Sequence, residues 1–350
     1  MKQKEANLEA LRILSMLFII GGHCVLFTHA ADSVPKYGFH YFTIWAIYAL
    51  FFSGTNTFVL LSGYFYSKPK LNLGKIGSLY GTMLLYSVGL AIALIVSGLK
   101  RYSLTQFVQV ATPFNTNQYW FMTSFIGLLF FKSILDYAIP QIDRKSYQTI
   151  ILILFIALSV IPTVWIGDGM GDANGYSVVW FIFVYLVGAY IRRFEILVSR
   201  KYCMLLIACC TVLMAISKIC VEFAADRVES LRPYSSFLYY NNTPPVLTIS
   251  VALLVIFKQI SITGKRLIKA ILWYSSCCLG VYLIHMHVGL SSVYWPFVKK
   301  IMHAGSISFY LILIAVVILI FFVCTLIEKG RQFLAKKIQA GIAYRHSSGR

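Results

Sequence analysis

Runs of about 20 apolar residues recur along this 350-residue chain and constrain its fold more than any other feature. A helix of that length crosses a hydrocarbon core about 30 Å thick. The mean hydropathy is +0.76, and only 12% of the residues are charged, about half the share in a soluble domain. The sequence therefore predicts an all-α integral membrane protein with about ten transmembrane helices.

The ten predicted spans follow one another with short connections. They cover residues 10–30, 42–66, 76–98, 119–138, 148–166, 177–191, 202–223, 243–258, 271–290 and 306–327. No internal repeat, low-complexity tract or linker separates them, so we expect one transmembrane domain over residues 1–350.

The distribution of positive charge supports this count. With a cytoplasmic N-terminus, 23 of the 31 Lys and Arg residues fall in the inner segments and 7 in the outer loops. Both termini are then cytoplasmic, and we expect a multi-pass protein of the cell membrane. The net charge of +19 is spread over alternate loops rather than along one stripe, which argues against a nucleic-acid partner.

The eight cysteines fall within or at the ends of predicted spans, where they behave as small apolar residues. They predict neither a disulfide framework nor a metal site. The first 30 residues could also be a cleaved signal peptide, but Glu9 and Arg12 would then interrupt its n-region.

Two ionisable residues, Arg12 and His23, lie in the first predicted span. Eleven residues make about three helical turns, so both side chains are expected on one face, about 16 Å apart along the helix. Ionisable residues inside a membrane are functional candidates. The pair predicts a site reached from both sides of the membrane, with Arg12 near the cytoplasm and Glu9 paired to it at i, i+3.

The longer outer loops, near residues 99–118 and 224–242, carry aromatic and amide side chains. Such side chains suit sugar rings, although an interfacial aromatic belt is an equally good interpretation. The residues concerned are Tyr102, Phe114, Asn115, Asn117, Gln118, Tyr119, Trp120, Tyr234, Tyr239, Tyr240, Asn241 and Asn242.

Two further positions carry chemistry in the predicted helices. His285 is expected at a depth similar to that of His23, where it could orient the base or position substrate, while His287 faces elsewhere and does not form a helical metal pair with it. Lys218 and Glu222, at i, i+4, are expected to form a structural ion pair.

Five stretches together resemble the acyltransferase 3 family of integral membrane acyltransferases. The opening Asn7–Arg12, followed after ten residues by His23, is similar to the family signature, and the remaining four stretches agree in order and spacing. They are Phe58–Phe65 with its Ser-Gly-Tyr, Tyr119–Phe121, Tyr240–Pro244 and Leu279–His285 with its Tyr-Leu-Ile-His. The chain departs from the family at Thr55–Thr57, where paired aromatics are common, and at Lys75 or Lys70, where relatives commonly carry Arg.

The resemblance implies transfer of an acyl group, usually acetyl from acetyl-CoA, to a hydroxyl of a cell-envelope glycan or its lipid-linked precursor. The acyl-CoA would be a co-substrate, with no permanently bound cofactor, and the partners would be the lipid membrane, acyl-CoA and the glycan. Arg12, Ser62, Gly63, Tyr64 and Lys75 would bind the CoA. Glu9, Asn56, Tyr119, Trp120, Tyr240 and Asn241 would contact the substrate.

Histidine suits the chemical step because its unperturbed pKa near 6.5 lets it accept a proton at neutral pH. We expect His23 to take the proton from the acceptor hydroxyl as it attacks the thioester, with a covalent acyl-histidine as the variant. Asn56 is a candidate donor to the oxyanion.

Two other classes of membrane protein fit part of the pattern. A transporter or flippase would also have ten spans, a polar midplane and basic inner loops, but no pair of helices broken by Gly or Pro occupies corresponding halves. An intramembrane serine protease would need a serine beside a histidine, whereas Ser62 is predicted near the cytoplasmic boundary and His23 much deeper.

Overall fold

The structure of the protein, a computed structural model, describes residues 5–165, 173–302 and 306–348, and the regular structure within these ranges is helical. The α-helices are α1 (Ala6–Phe27), α2 (Phe39–Phe52), α3 (Gly54–Tyr64), α4 (Leu73–Val96), α5 (Leu104–Ala111), α6 (Trp120–Ala138), α7 (Arg144–Phe155), α8 (Ile161–Trp165), α9 (Val178–Arg193), α10 (Arg200–Ala225), α11 (Pro244–Lys258), α12 (Lys265–Ser275), α13 (Cys278–His285), α14 (Val288–Ile301) and α15 (Ile307–Ser348).

Eight helical stretches in the described part of the chain are long and apolar enough to cross a membrane. This confirms a helical, multi-pass membrane protein. The stretches are Ala6–Phe27, Phe39–Tyr64, Leu73–Val96, Trp120–Gln141, Arg144–Trp165, Arg200–Ala225, Lys265–His285 and Ile307–Gly341. The last residue of the predicted span 148–166 lies outside the described residues.

The two remaining predicted spans, 177–191 and 243–258, form shorter helices. Helix α9 has 16 residues and α11 has 15, so they rise only about 24 and 22 Å, less than a hydrocarbon core. Most of their side chains are buried by neighbouring helices. The count of ten spans and the cytoplasmic termini therefore stay predictions.

Two of the long stretches are interrupted in a way that the hydropathy pattern did not indicate. The second stretch breaks at Ser53, between α2 and α3. The Ser53 carbonyl accepts from the Thr57 N–H at 3.1 Å and also from the Ser250 hydroxyl of α11 at 3.0 Å. The predicted span 271–290 is not one helix, because α12 ends at Ser275, α13 ends at His285 and α14 begins at Val288. Such breaks are tolerated at membrane depth where other helices satisfy the backbone.

The predicted outer loops contain short helices of their own. Helix α5 lies within 99–118 and begins with a capping box, in which the Ser103 hydroxyl accepts from the Gln106 backbone N–H and the Gln106 side chain accepts from the Ser103 N–H. A short 3-10 helix, Glu229–Tyr234, lies within 224–242.

Helix α1 lies at the centre of the bundle, where it packs against α2, α3, α11, α12, α13 and α15. Beside it, α3 and α9 approach each other closely at two glycines. A Cβ on Gly63 would meet the Tyr185 main chain of α9, and one on Gly188 would meet the Leu60 carbonyl of α3. Close packing through small residues is a common way for membrane helices to associate.

The structure confirms the predicted ion pair in α10. The Lys218 ammonium lies 2.9 Å from the Glu222 carboxylate and donates to the hydroxyls of Ser235 and Ser236, both at 3.0 Å. Lys218 therefore attaches the segment after α10 to the helix, and its charge is compensated although the side chain is buried.

Candidate functional site

Arg12 and His23 lie on one stripe of α1, as their spacing predicts. Arg12 lines a central cavity together with Met16 and Ile19, and Ile19 and His23 line the neighbouring cavity. Because α1 is continuous from Ala6 to Phe27, the two residues are separated by about 16 Å along the helix axis.

His23 is paired with His285. The sequence predicts a similar depth for the two residues in the membrane, but not this contact. The Nδ1 atom of His23 lies 3.1 Å from the Nε2 atom of His285, and the Nδ1 atom of His285 lies 2.6 Å from the Val281 carbonyl oxygen. A carbonyl only accepts, so His285 carries its proton on Nδ1 and its Nε2 accepts from His23. In the neutral pair, Nε2 of His23 is then left unprotonated.

The unprotonated nitrogen of His23 is the one available for proton transfer. No described residue pairs with Nε2 of His23, whose ring lines a cavity. His285 is almost fully buried, and its backbone carbonyl accepts from the Tyr294 hydroxyl at 2.8 Å. His285 therefore acts on His23 and holds its ring in one orientation.

His287 has a structural role instead. Its Nδ1 atom accepts from the Leu290 backbone N–H at 3.1 Å and so caps α14, while its Nε2 atom lies 3.0 Å from the Ser87 carbonyl of α4 and donates to it. Both ring nitrogens are thus occupied, which leaves none for a metal or a substrate.

Three neighbouring cavities lie along α1. The entrance cavity, about 730 Å³, is lined by Arg12, Glu9, Tyr64 and Arg192 among others. The central cavity, about 270 Å³, shares Arg12 with it and is lined mainly by apolar side chains together with Ser62 and Tyr282. The aromatic cavity, about 210 Å³, shares Ile19 with the central one and contains His23.

The entrance cavity carries cations that are held by carboxylates. Glu9 lies 3.6 Å from the Arg12 guanidinium, and Glu5 lies 3.3 Å from that of Arg192. Arg192 also donates to the Tyr64 hydroxyl at 3.2 Å and lies over its ring. Each guanidinium has five N–H donors, so both keep donors for a phosphate.

A family model described as an acyltransferase domain matches residues 5–328. The chain belongs to this acyltransferase family. No curated protein and no solved structure matches the chain. The matched range contains α1 to α14 and most of the membrane part of α15, and therefore all residues that line the three cavities.

The structure of this acyltransferase brings only some of the sequence-predicted residues into the cavities. Ser62 lines the central cavity, Tyr64 the entrance cavity, and Trp120 and Asn241 the aromatic cavity with His23. Gly63, by contrast, is a packing residue against α9.

Besides Gly63 and His285, four predicted residues lie outside the cavity linings. Lys75 is exposed at the start of α4, and Tyr240 is half-buried in the turn before α11. Tyr119 is fully buried with its ring 6.1 Å from that of Tyr282. The Asn56 amide donates to the Asn241 carbonyl at 2.7 Å and accepts from the Trp180 indole at 2.9 Å, so it holds α3 to its neighbours.

The sequence did not single out Arg192 or Tyr282, although both line the cavities. Arg192 is one of the Lys and Arg residues in the predicted inner segments, and Tyr282 is the first residue of the Tyr-Leu-Ile-His motif. The spacing of Tyr282 and His285 at i, i+3 on one helix face was the available signal. Nothing in the sequence indicated that α9 would bring Arg192 to the cavity that Arg12 lines.

Proposed function

We propose that this membrane acyltransferase moves an acyl group, most simply acetyl, from cytoplasmic acyl-CoA to a hydroxyl of a cell-envelope glycan or its lipid-linked precursor. The observation that carries the proposal is the series of three cavities along α1, which runs from Arg12 to His23. With the N-terminus in the cytoplasm, a donor would enter at Arg12 and an acceptor would approach from the other side.

The entrance cavity would bind the phosphates of CoA. Arg12 and Arg192 both line it, and a guanidinium binds phosphate oxygens in a bidentate manner. Glu9 and Glu5 would orient the two side chains without using all their donors. Lys68, which lines the same cavity, adds a third cation.

The central cavity would hold the pantetheine arm. Its lining is mainly apolar, with Met16, Ile19 and Phe58 among its residues, which suits an uncharged chain. The thioester would then lie near Ile19, where the central and aromatic cavities meet and where His23 is one helical turn away.

His23 would act as the general base. Its Nε2 atom would accept the proton of the acceptor hydroxyl while that oxygen attacks the thioester carbonyl carbon. His285 would stabilise the resulting imidazolium by accepting from Nδ1. When the C–S bond breaks, Nε2 would return the proton to the leaving sulfur, which yields the ester and free CoA thiol.

Tyr282 and the first turn of α6 would stabilise the oxyanion. The Tyr282 hydroxyl is buried and is approached by the Phe121 backbone N–H, but it makes no hydrogen bond of normal geometry among the described residues, and Tyr282 lines the central cavity. Its ring lies 5.6 Å from that of Phe121, in the first turn of α6. Helix α6 has no side-chain cap, so its first N–H groups stay available to negative charge.

The α6 N-terminus also lies where the chemistry would occur. Trp120 lines the aromatic cavity, whereas Phe121 and Met122 line the central one. A phenol and a helix N-terminus that converge on the junction of two cavities are the preorganised donors that a tetrahedral intermediate needs. The Asn56 amide, already bonded to Asn241 and Trp180, is less suited to that role.

The aromatic cavity would bind the acceptor. Aromatic side chains, including Trp120 and Tyr176, make up much of its lining, and His23, Thr55 and Asn241 supply polar groups. Aromatic faces stack on the C–H surfaces of sugars, while the amide and hydroxyl bond to sugar oxygens.

The decisive experiment measures acyl transfer in membranes that carry wild-type protein, His23→Ala or the control His29→Asn. Labelled acetyl-CoA is supplied, and both free thiol and the acetyl content of envelope glycans, by mass spectrometry, are followed. We expect His23→Ala to abolish both signals and His29→Asn, exposed beyond the end of α1, to keep them. Near-normal transfer by His23→Ala would refute the base, and glycan transport without thiol release would favour a transporter.

A further inference from the structure

A fourth cavity, separate from the three along α1, lies between α5, the end of α4 and the first turn of α14. Its volume is about 270 Å³, and we refer to it as the amide cavity. Six of its eight lining residues are polar: Lys100, Tyr102, Gln106, Gln109, Thr116 and Gln118. Neither the proposed mechanism nor the family match assigns it a role.

Helix α5 presents its polar side to this cavity. Gln106 and Gln109 lie on one face of α5, whereas Leu104 and Val108 lie on the other and are 82% and 52% exposed. The turn after α5 is hydrogen-bonded to that helix, because the Thr116 hydroxyl donates to the Gln109 carbonyl at 3.1 Å. The apolar face of α5 is therefore the one suited to lipid, and the amide cavity faces the protein.

The cavity contains hydrogen-bond donors that lack an acceptor among the described residues. The Ser87 hydroxyl donates to the Val110 carbonyl at 2.6 Å and more weakly to the Gln118 side-chain oxygen at 3.2 Å. The buried Gln118 NH₂ group, beside the Tyr119 hydroxyl, makes no hydrogen bond of normal geometry with a described residue. The Tyr102 hydroxyl is also buried and unpaired, and it packs directly against Gly289 in α14. Buried donors without acceptors are costly, so each of them favours a ligand that accepts.

The cavity is also electropositive. The Lys100 ammonium donates to the Ser292 hydroxyl at 2.7 Å, and none of the described residues that line the cavity carries a carboxylate. Val288, in the first turn of α14, lines it too. Because the His287 cap uses only the Leu290 N–H, the N–H groups of Val288 and Gly289 are left for an anion.

We propose that the amide cavity binds an acidic sugar unit of the acceptor glycan through its carboxylate. This inference rests on the proposed function, since it makes the cavity a second subsite for the same acceptor chain. The donors and Lys100 would bind the carboxylate, and the glutamine amides would bind ring hydroxyls. A volume below the roughly 300 Å³ of the smallest drug-sized pockets suits one sugar ring.

The position of the cavity fits this role. Gln118 is two residues before Trp120, which lines the aromatic cavity with His23. A sugar held at Gln118 would therefore lie a short distance along the glycan from the unit that is acylated. The carboxylate would select acidic chains and set which hydroxyl reaches His23.

The test is direct binding to the full chain in phosphatidylcholine nanodiscs, without acyl-CoA. The probes are D-glucuronate and D-glucose, which share a ring and differ by the carboxylate, and saturation-transfer NMR measures their binding. We expect glucuronate to bind at least about tenfold more tightly than glucose, as one charge-assisted contact requires. Lys100→Gln and Tyr102→Phe should remove that preference, whereas Lys299→Gln, which changes the charge of α14 outside the cavity, should keep it.

Three results would overturn the assignment. They are equal binding of glucose and glucuronate, a preference that survives Lys100→Gln, and loss of glucuronate binding in nanodiscs that contain phosphatidylglycerol, which would assign the cavity to a lipid headgroup. The assay needs no catalysis, so its outcome is independent of whether His23→Ala abolishes acyl transfer.

Discussion

The Nδ1 atom of His23 lies 3.1 Å from the Nε2 atom of His285, although the two residues are 262 positions apart. The Val281 carbonyl fixes the proton of His285 on Nδ1. The two hydrogen bonds therefore run in one direction, from His23 to His285 and from His285 to the Val281 carbonyl. Because Nδ1 of His23 carries the donated proton, Nε2 of His23 is unprotonated in the neutral pair. The pair therefore links the end of α13 to the His23 ring of α1.

His285→Ala should lower kcat for acyl transfer by about 10- to 100-fold, because His23 would lose the partner that orients its ring. The KM for acyl-CoA should stay unchanged, since the entrance cavity is untouched. His285→Asn, whose amide oxygen can accept from Nδ1, should recover part of the activity. A similar kcat for the alanine and asparagine variants, with both proteins folded, would show that His285 does not act through this hydrogen bond.

Tyr282→Phe should lower kcat by about 10²- to 10³-fold, the loss expected for one oxyanion donor. Its thermal stability should change little, because the hydroxyl makes no hydrogen bond of normal geometry among the described residues. Tyr274→Phe is the matched control, since that ring packs against Phe321 in the same helical stretch outside the cavities. Both kcat and the melting temperature should be measured, and wild-type kcat for Tyr282→Phe would remove the phenol from the mechanism.

Arg192→Gln should raise the KM for acyl-CoA about tenfold, because a charge-assisted hydrogen bond contributes roughly 1.5–3 kcal/mol. Arg12→Lys should raise it as well, since lysine keeps the charge but loses the bidentate geometry. The control is Lys201→Gln, an exposed cation outside the entrance cavity. Steady-state kinetics with varied acyl-CoA test this, and a KM that responds equally to all three variants would indicate general electrostatics instead of a site.

Gly63→Ala should destabilise the protein by about 1–3 kcal/mol, because its Cβ would meet the Tyr185 main chain, which cannot move aside easily. Gly77→Ala in α4 is the matched control, since nothing lies within 4 Å of its Cβ. Thermal unfolding in detergent distinguishes them. If Gly63→Ala instead melted like wild type and only raised the KM for acyl-CoA, Gly63 would be a binding residue, as the resemblance implied.

Much of the site on α1 could be predicted because it depends on local geometry. Arg12 and His23 belong to one helix, and helical periodicity alone aligns their side chains. The long apolar stretches could likewise be predicted, because crossing a hydrocarbon core requires length and apolarity within each segment. The ends and interruptions of these stretches could not be predicted as well. The break at Ser53, for example, includes a hydrogen bond from Ser250, which lies in a helix distant in sequence.

The contacts between helices could not be predicted in the same way. Asn56 looked free to bind an oxyanion, but packing places it between Asn241 and Trp180. In the sequence, Arg192 is one of the positive charges that indicate the membrane topology. In the structure, α9 packs on α3, so that Arg192 donates to the Tyr64 hydroxyl.

The sequence by itself determined that this is a helical membrane protein with a cation and an imidazole on one helical stripe, because these properties are set within single segments. It also determined the acyltransferase family, through motifs whose order runs along the chain. Only the tertiary structure decided which groups lie together in the candidate site: His285 beside His23, Arg192 in the cavity that Arg12 lines, and Tyr282 at the uncapped start of α6. The physical reason is that side chains from different helices meet through packing and interhelical hydrogen bonds, which depend on the whole bundle.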